Sequence, residues 1–160
     1  MARVIRDAVR GEAPLVLSFI RELAEYEHLL DQVVATADDL DRELFGPRPK
    51  VFCQIAEVDG EPAGFALWYY TFSTFQGRHG IWLEDLFVRP EARGHGIGKS
   101  LLVDLAQRCL REQLGRLEWA VLDWNQPSID FYASQGAIFL DDWRRCRVTD
   151  GALAKLGAAP

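Results

Sequence analysis

The sequence predicts a mixed α/β (α+β) domain, and three observations carry that reading. Segments of strand character alternate with segments of helical periodicity, in the order βααβββαβαβ, with no repeat or low-complexity linker between them. Two of the strands flank Asp59-Gly60, the strongest short hairpin signal in the chain. The length of 160 residues, 49% of them hydrophobic, suits a single domain with a core of useful size.

Each element has its own signal. Residues 4–8 read as a short strand, and residues 12–29 carry Leu15, Phe19, Leu23 and Tyr26 at the three- and four-residue intervals of an amphipathic helix. Thr36-Ala37-Asp38-Asp39 starts a second helix and Gly46-Pro47 stops it. Residues 51–58 and 62–71 form the hairpin strands, and residues 81–88 the next strand. Between Ile97 and Gln113, apolar residues at 97, 101, 105 and 109, with 102, 106 and 110 beside them, make a stripe broad enough to pack on a sheet. Residues 117–122 return as a strand. Pro127 suits a first helical turn, Asn125 or Gln126 can cap it, and Gly136 ends that short helix. Residues 144–149 supply a last strand.

Charge and composition narrow the function. A net charge of −6 and a pI of about 5.1 argue against nucleic acid as a main partner and suit a cationic ligand. The N-terminus lacks the apolar core of a signal peptide and no segment reaches the ~20 apolar residues of a membrane span, so a cytoplasmic protein with no membrane partner is expected. Cys53, Cys109 and Cys146 are odd in number and widely spaced, which reads as reduced thiols. His28, His79 and His95 show no ligand spacing, so no metal is expected.

The run from Leu83 to Gly98 passes from an apolar strand through a glycine-punctuated turn into the long helix. Gly94, Gly96 and Gly98, on alternate positions, are expected to adopt positive φ and let main-chain N–H groups converge on a phosphate at the helix start. The spacing fits neither the P-loop nor the dinucleotide fingerprint. His95, inside the turn, either touches phosphate or faces water.

Arg93-Gly94-His95-Gly96-Ile97-Gly98 resembles the Arg/Gln-x-x-Gly-x-Gly/Ala signature of the GCN5-related N-acetyltransferase (GNAT) superfamily, with Arg93, Gly96 and Gly98 at the signature positions. A second stretch about 30 residues on, with Asn125, Ser128 and Tyr132 before Gly136-Ala137, resembles another motif of that superfamily. Glu22 to Glu27, Asp31-Gln32-Val33, Ser73-Thr74-Phe75, Leu83-Glu84-Asp85 and Val121 to Gln126 are similar to the diamine (spermidine/spermine) and thialysine N-acetyltransferase family. The resemblance covers nearly the whole chain, apart from a shortened segment before Trp143.

Acetyl transfer to an amine needs the neutral amine, whereas a free alkylammonium has a pKa near 10.4, so a proton acceptor is required. Glu84 and Asp85 are neighbours on one strand and are expected to point to opposite faces. Glu84, among Trp82, Leu86 and Val88, is expected on a mostly covered face, as proton acceptor through water or as the partner of an arginine. Tyr132, whose phenol is a weaker acid than an ordinary thiol, can return a proton to the leaving thiolate; taken by itself it reads first as a core aromatic beside Phe131.

The resemblance implies a mixed, mostly antiparallel central sheet flanked by helices and splayed at the acetyl-CoA site, direct attack of the amine on the thioester, and a homodimer. It implies Tyr132 and Glu84 as the catalytic pair. Coenzyme A would run along Leu86, Phe87 and Val88, then Arg93, Gly94, His95, Gly96, Ile97, Gly98 and Lys99, then Asn125, Gln126, Pro127, Ser128 and Gln135. The acceptor would meet Tyr26, Glu27, Phe75, Glu84, Asp85, Glu118, Trp119 and Ala120. Ser73 and Phe75 replace an Asp and a Trp of the polyamine enzymes, which favours a shorter amine with one distal charge. Two rival readings remain: a protein or aminoglycoside N-acetyltransferase, and a non-catalytic module that senses acyl-CoA.

Overall fold

At Asp59 and Gly60 the backbone takes φ of 51° and 85°, the left-handed pair that a tight hairpin turn requires. The computed structural model describes residues 1–160 and turns there from β2 (Phe52–Val58) into β3 (Glu61–Ser73). β1 (Arg3–Asp7) pairs antiparallel with β2, β3 pairs antiparallel with β4 (Arg78–Val88), and β5 (Leu117–Glu118) lies parallel to β4, so the sheet runs in the order β1 to β5.

Helix α1 (Ala13–Tyr26) covers one face of this sheet with α2 (Ala37–Phe45). Val16 and Phe19 of α1 and Leu44 of α2 pack with Cys53, Ile55, Phe65, Leu67 and Phe87, and the Phe19 and Phe65 rings stack at 5.2 Å. Burying such side chains contributes roughly 1.5–3 kcal/mol each. Thr36 starts α2 with a capping box: its hydroxyl accepts from the Asp39 N–H (3.2 Å) while Asp39 accepts from the Thr36 N–H (2.9 Å). On the opposite face, α3 (Ile97–Arg111) buries Ile97, Leu101, Leu102, Leu105 and Cys109, the expected stripe, and Arg108 lies over the Trp68 ring.

The chain divides into two compact units, the one above (Met1–Trp124) and Asn125–Pro160. The second holds α4 (Gln126–Ser134), capped by Asn125 and followed by Gly136 at φ 91°, and α5 (Asp150–Gly157). No helix is long and apolar enough to cross a membrane.

Two expectations change, and one helix is added. The strand expected over residues 117–122 shrinks to Leu117–Glu118, because pairing with β4 stops at Ile81↔Leu117 and Trp82↔Glu118 while β4 continues to Val88. The mixed sheet is therefore open along the rest of β4. The strand expected over residues 144–149 is absent; that arginine-rich segment is exposed and joins no sheet, and an extended segment without a neighbour has no ladder to satisfy its backbone. Helix α5 was not anticipated, since it is eight residues long and contains Gly151 and Gly157.

Candidate active site

The turn between β4 and α3 is shaped by two glycines. Gly94 (φ 79°) and Gly96 (φ 76°) occupy the left-handed region, and Gly96 caps α3, so the N–H groups of the first helical turn face outward with Lys99 and no acidic residue among them. That arrangement favours an anion. Gly98, expected to share the positive φ, instead lies inside α3, because the chain has already entered the helix at Ile97. The Arg3 guanidinium donates to the His95 carbonyl, and a Cβ on Gly96 would lie 3.0 Å from Arg3 Nη1. His95 is exposed, with Nδ1 3.4 Å from the Ala92 carbonyl. Arg93 donates to the Val88 carbonyl (2.8 Å) and lies over the Tyr26 and Phe87 rings at 5.1 and 5.4 Å.

Before that turn, β4 carries a bulge. Leu67 pairs with Asp85 but Trp68 pairs with Leu83, so Glu84 is an extra residue with no partner in the ladder. The expectation that Glu84 sits on a covered face is therefore corrected. Glu84 is exposed and accepts a hydrogen bond from the Trp82 indole (2.9 Å), whereas Asp85 is half-buried. Burial, then the charges of Glu84 and Glu27, push the Asp85 carboxyl up to about 7. Glu27 caps the C-terminal end of α1 and is half-buried, and burial raises its pKa too.

The structure thus brings Glu27, Glu84 and Asp85 within electrostatic reach of one another. Tyr26, beside Glu27, faces Trp124 at 6.3 Å between ring centroids. His28 lies 5.6 Å from Trp124, in a left-handed conformation (φ 61°) that ends α1. Trp124 and Arg3 were missed as site residues: the first stands just before the Asn125 motif, and the second is brought to the cradle only by the sheet. Glu118 pairs with Trp82 in the ladder and its carboxylate accepts from Arg116 (2.8 Å); Trp119 is half-buried and Ala120 exposed. Phe75 is not brought to this cluster. It is fully exposed at the β3–β4 turn, where the Ser73 hydroxyl accepts from the Gln76 N–H. The ladder from Leu67↔Asp85 to Ser73↔Arg78 separates the two ends, by roughly 20 Å at the usual rise per strand residue.

In the second unit, Asn125 is buried and its side chain accepts from the Ser128 N–H (3.4 Å). Pro127 follows in the first turn, and Gln126 donates to Asp130 (2.7 Å). Tyr132 is buried beside Phe131, and Gln135, the C-cap, donates to the Ser134 hydroxyl (2.9 Å).

Comparison with known proteins accords with this geometry. Residues 17–137 match the acetyltransferase (GNAT) family profile. The chain is 39% identical to a thialysine N-epsilon-acetyltransferase of Bos taurus, over 96% of each chain. It is 30% identical to an L-ornithine N5-acetyltransferase of Arabidopsis thaliana, over 93% of this chain and 85% of the other. Among solved structures it superposes on an integron cassette protein from the mobile metagenome of V. cholerae with a TM-score of 0.81 and 28% identity, over 99% of each chain. An open mixed sheet, a glycine cradle at a helix start and a relationship of this length together place the chain in the acetyltransferase (GNAT) family, as an N-acetyltransferase that transfers acetyl to amine acceptors.

Proposed function

We propose that the protein acetylates a small amine bearing a second, distal positive charge, a thialysine-, lysine- or ornithine-like acceptor or a short diamine, with acetyl-CoA as donor. The carrying observation is the convergence of Glu27, Glu84 and Asp85 beside the part of β4 that lacks a β5 partner. Carboxylates in a half-buried setting favour a cation and draw in an ammonium group. The relatives named for thialysine and ornithine support a short acceptor.

Acetyl-CoA supplies the acetyl group as a thioester. The cradle from Arg93 to Lys99 suits its pyrophosphate, because Gly94 and Gly96, both at positive φ, bare the backbone there. Carboxyl groups on β4 accept the ammonium proton, and Tyr132 is assigned the return of a proton to the leaving thiolate. Asn125, Gln126, Pro127, Ser128 and Gln135 are assigned to the coenzyme. We also propose a cytoplasmic site of action and, from the family resemblance, a homodimeric state.

Thiol release from acetyl-CoA, measured with thialysine, lysine, ornithine, putrescine, spermidine, spermine and a lysine-containing peptide, tests this reading. Turnover should concentrate on the short amines and fall about hundredfold in Tyr132→Phe. Equal turnover in that variant would remove the phenol from the mechanism, and preference for the peptide would favour a protein substrate.

A further inference from the structure

We propose that Trp124 seats the distal cation of the acceptor on its indole face, and that a quaternary ammonium therefore serves in that position as well as a primary one. The inference rests on the amine-acetylation reading above and deepens it, because it names what holds the second charge.

Trp124 is 50% exposed, and a single exposed indole would by itself carry no inference. This one is walled by two rings. Tyr26 approaches it at 6.3 Å and His28 at 5.6 Å between centroids, both tilted against the indole. The two come from either side of Glu27. On a continuing helix residues 26 and 28 would point roughly 200° apart, but α1 ends at its C-cap Glu27, and His28 turns the chain at φ 61°, so both rings reach Trp124.

Charge points the same way. The half-buried Glu27 carboxylate has no cation of the chain paired with it, and burial raises its pKa. Loss of solvent around an unpaired carboxylate is costly, and an incoming cation relieves that cost. Glu27 also lies within electrostatic reach of Asp85, so a negative field runs from the end of α1 to β4. The rings nearby already hold a cation. The Arg93 guanidinium lies 5.1 Å from the Tyr26 centroid and 5.4 Å from that of Phe87, which ties the end of α1 to β4. No arginine or lysine of the chain lies over Trp124. Indole is the strongest aromatic host for a cation, and here its face is left open.

The acceptor then lies with its reacting amine at the β4 carboxyls and its distal charge beside Glu27 and Trp124. An aromatic face attracts a cation through its quadrupole and needs no N–H donor, so methylation of the distal nitrogen costs little there. A seat built on hydrogen bonds from the ammonium to a carboxylate would lose all of them on trimethylation.

The test compares kcat/KM for cadaverine, its monotrimethylated derivative and hexylamine, which share one chain length and one reacting amine, in the wild type, Trp124→Phe and Trp124→Leu at saturating acetyl-CoA. The wild type should use the two charged acceptors to within about threefold of each other and hexylamine about thirtyfold less well. Trp124→Leu should cut the ratio of charged to neutral acceptor about tenfold, through the amine KM, and Trp124→Phe by less. A folding defect lowers all three acceptors together and leaves that ratio alone. An unchanged ratio in Trp124→Leu overturns the seat and leaves acetylation of amines standing. A trimethylated acceptor as poor as hexylamine also overturns it, because the distal charge is then held by hydrogen bonds. No turnover by the wild type of any amine, thialysine and ornithine included, overturns the acceptor reading itself, and the seat falls with it.

Discussion

Asp85 links stability to pH. Its carboxyl is pushed up to about 7 in the folded chain, against about 3.9 for an unperturbed aspartate. Between those values the folded protein holds a proton that the unfolded chain has lost, so the contribution of this group is full below about pH 4 and disappears as pH rises through about 7. Asp85→Asn keeps the shape and removes the charge. Its Tm should therefore exceed that of the wild type by a margin that grows between pH 5 and pH 8; calorimetry showing a constant margin would contradict the half-buried carboxyl. The sequence made both carboxyls of β4 visible, but not which one is half-buried, because one extra residue in a ladder leaves no trace in local composition.

Among the elements, the β4–α3 turn was legible from its glycines, and its support was not. Gly96→Ala forces a left-handed alanine at φ 76° against Arg3, a strain of about 1–2 kcal/mol. The KM for acetyl-CoA should rise about tenfold while the KM for the amine stays put; steady-state kinetics in both substrates will show it. Arg3→Ala, which removes the bond to the His95 carbonyl, should move the same constant in the same direction by a smaller factor, with Arg3→Lys partly restoring it. Equal shifts in both KM values would mean that Arg3 supports the fold rather than the cradle. For α2, whose capping box is complete, Thr36→Ala should cost about 1 kcal/mol in chemical denaturation. That cap was read from Thr36 to Asp39 alone, because capping is settled within four residues.

At the scale of the whole molecule, the second unit leaves much apolar surface in solvent: Ile138 is 82% and Trp143 77% exposed, and α5 buries no residue. These exposed apolar side chains are the surface on which the proposed homodimer can be tested. Sedimentation should show a dimer that Trp143→Ser with Leu156→Ser converts toward monomer; a wild-type monomer at micromolar concentration would refute it. The expected strand over residues 144–149 belongs to the same stretch, and its alternation was visible where its pairing was not, since a strand exists only with a neighbour.

The sequence by itself determined what local rules settle: the hairpin at Asp59-Gly60, the α2 cap, the stripe of α3, the glycine turn and the family, each carried by a few adjacent residues. Tertiary structure decided what depends on pairing and burial. It made Glu84 the exposed, bulged residue and Asp85 the half-buried acid, set Phe75 apart from them, brought Arg3 to Gly96 across more than ninety residues of chain, and ended β5 at Glu118. Register and desolvation are sums over distant segments, and no window of neighbouring residues contains them.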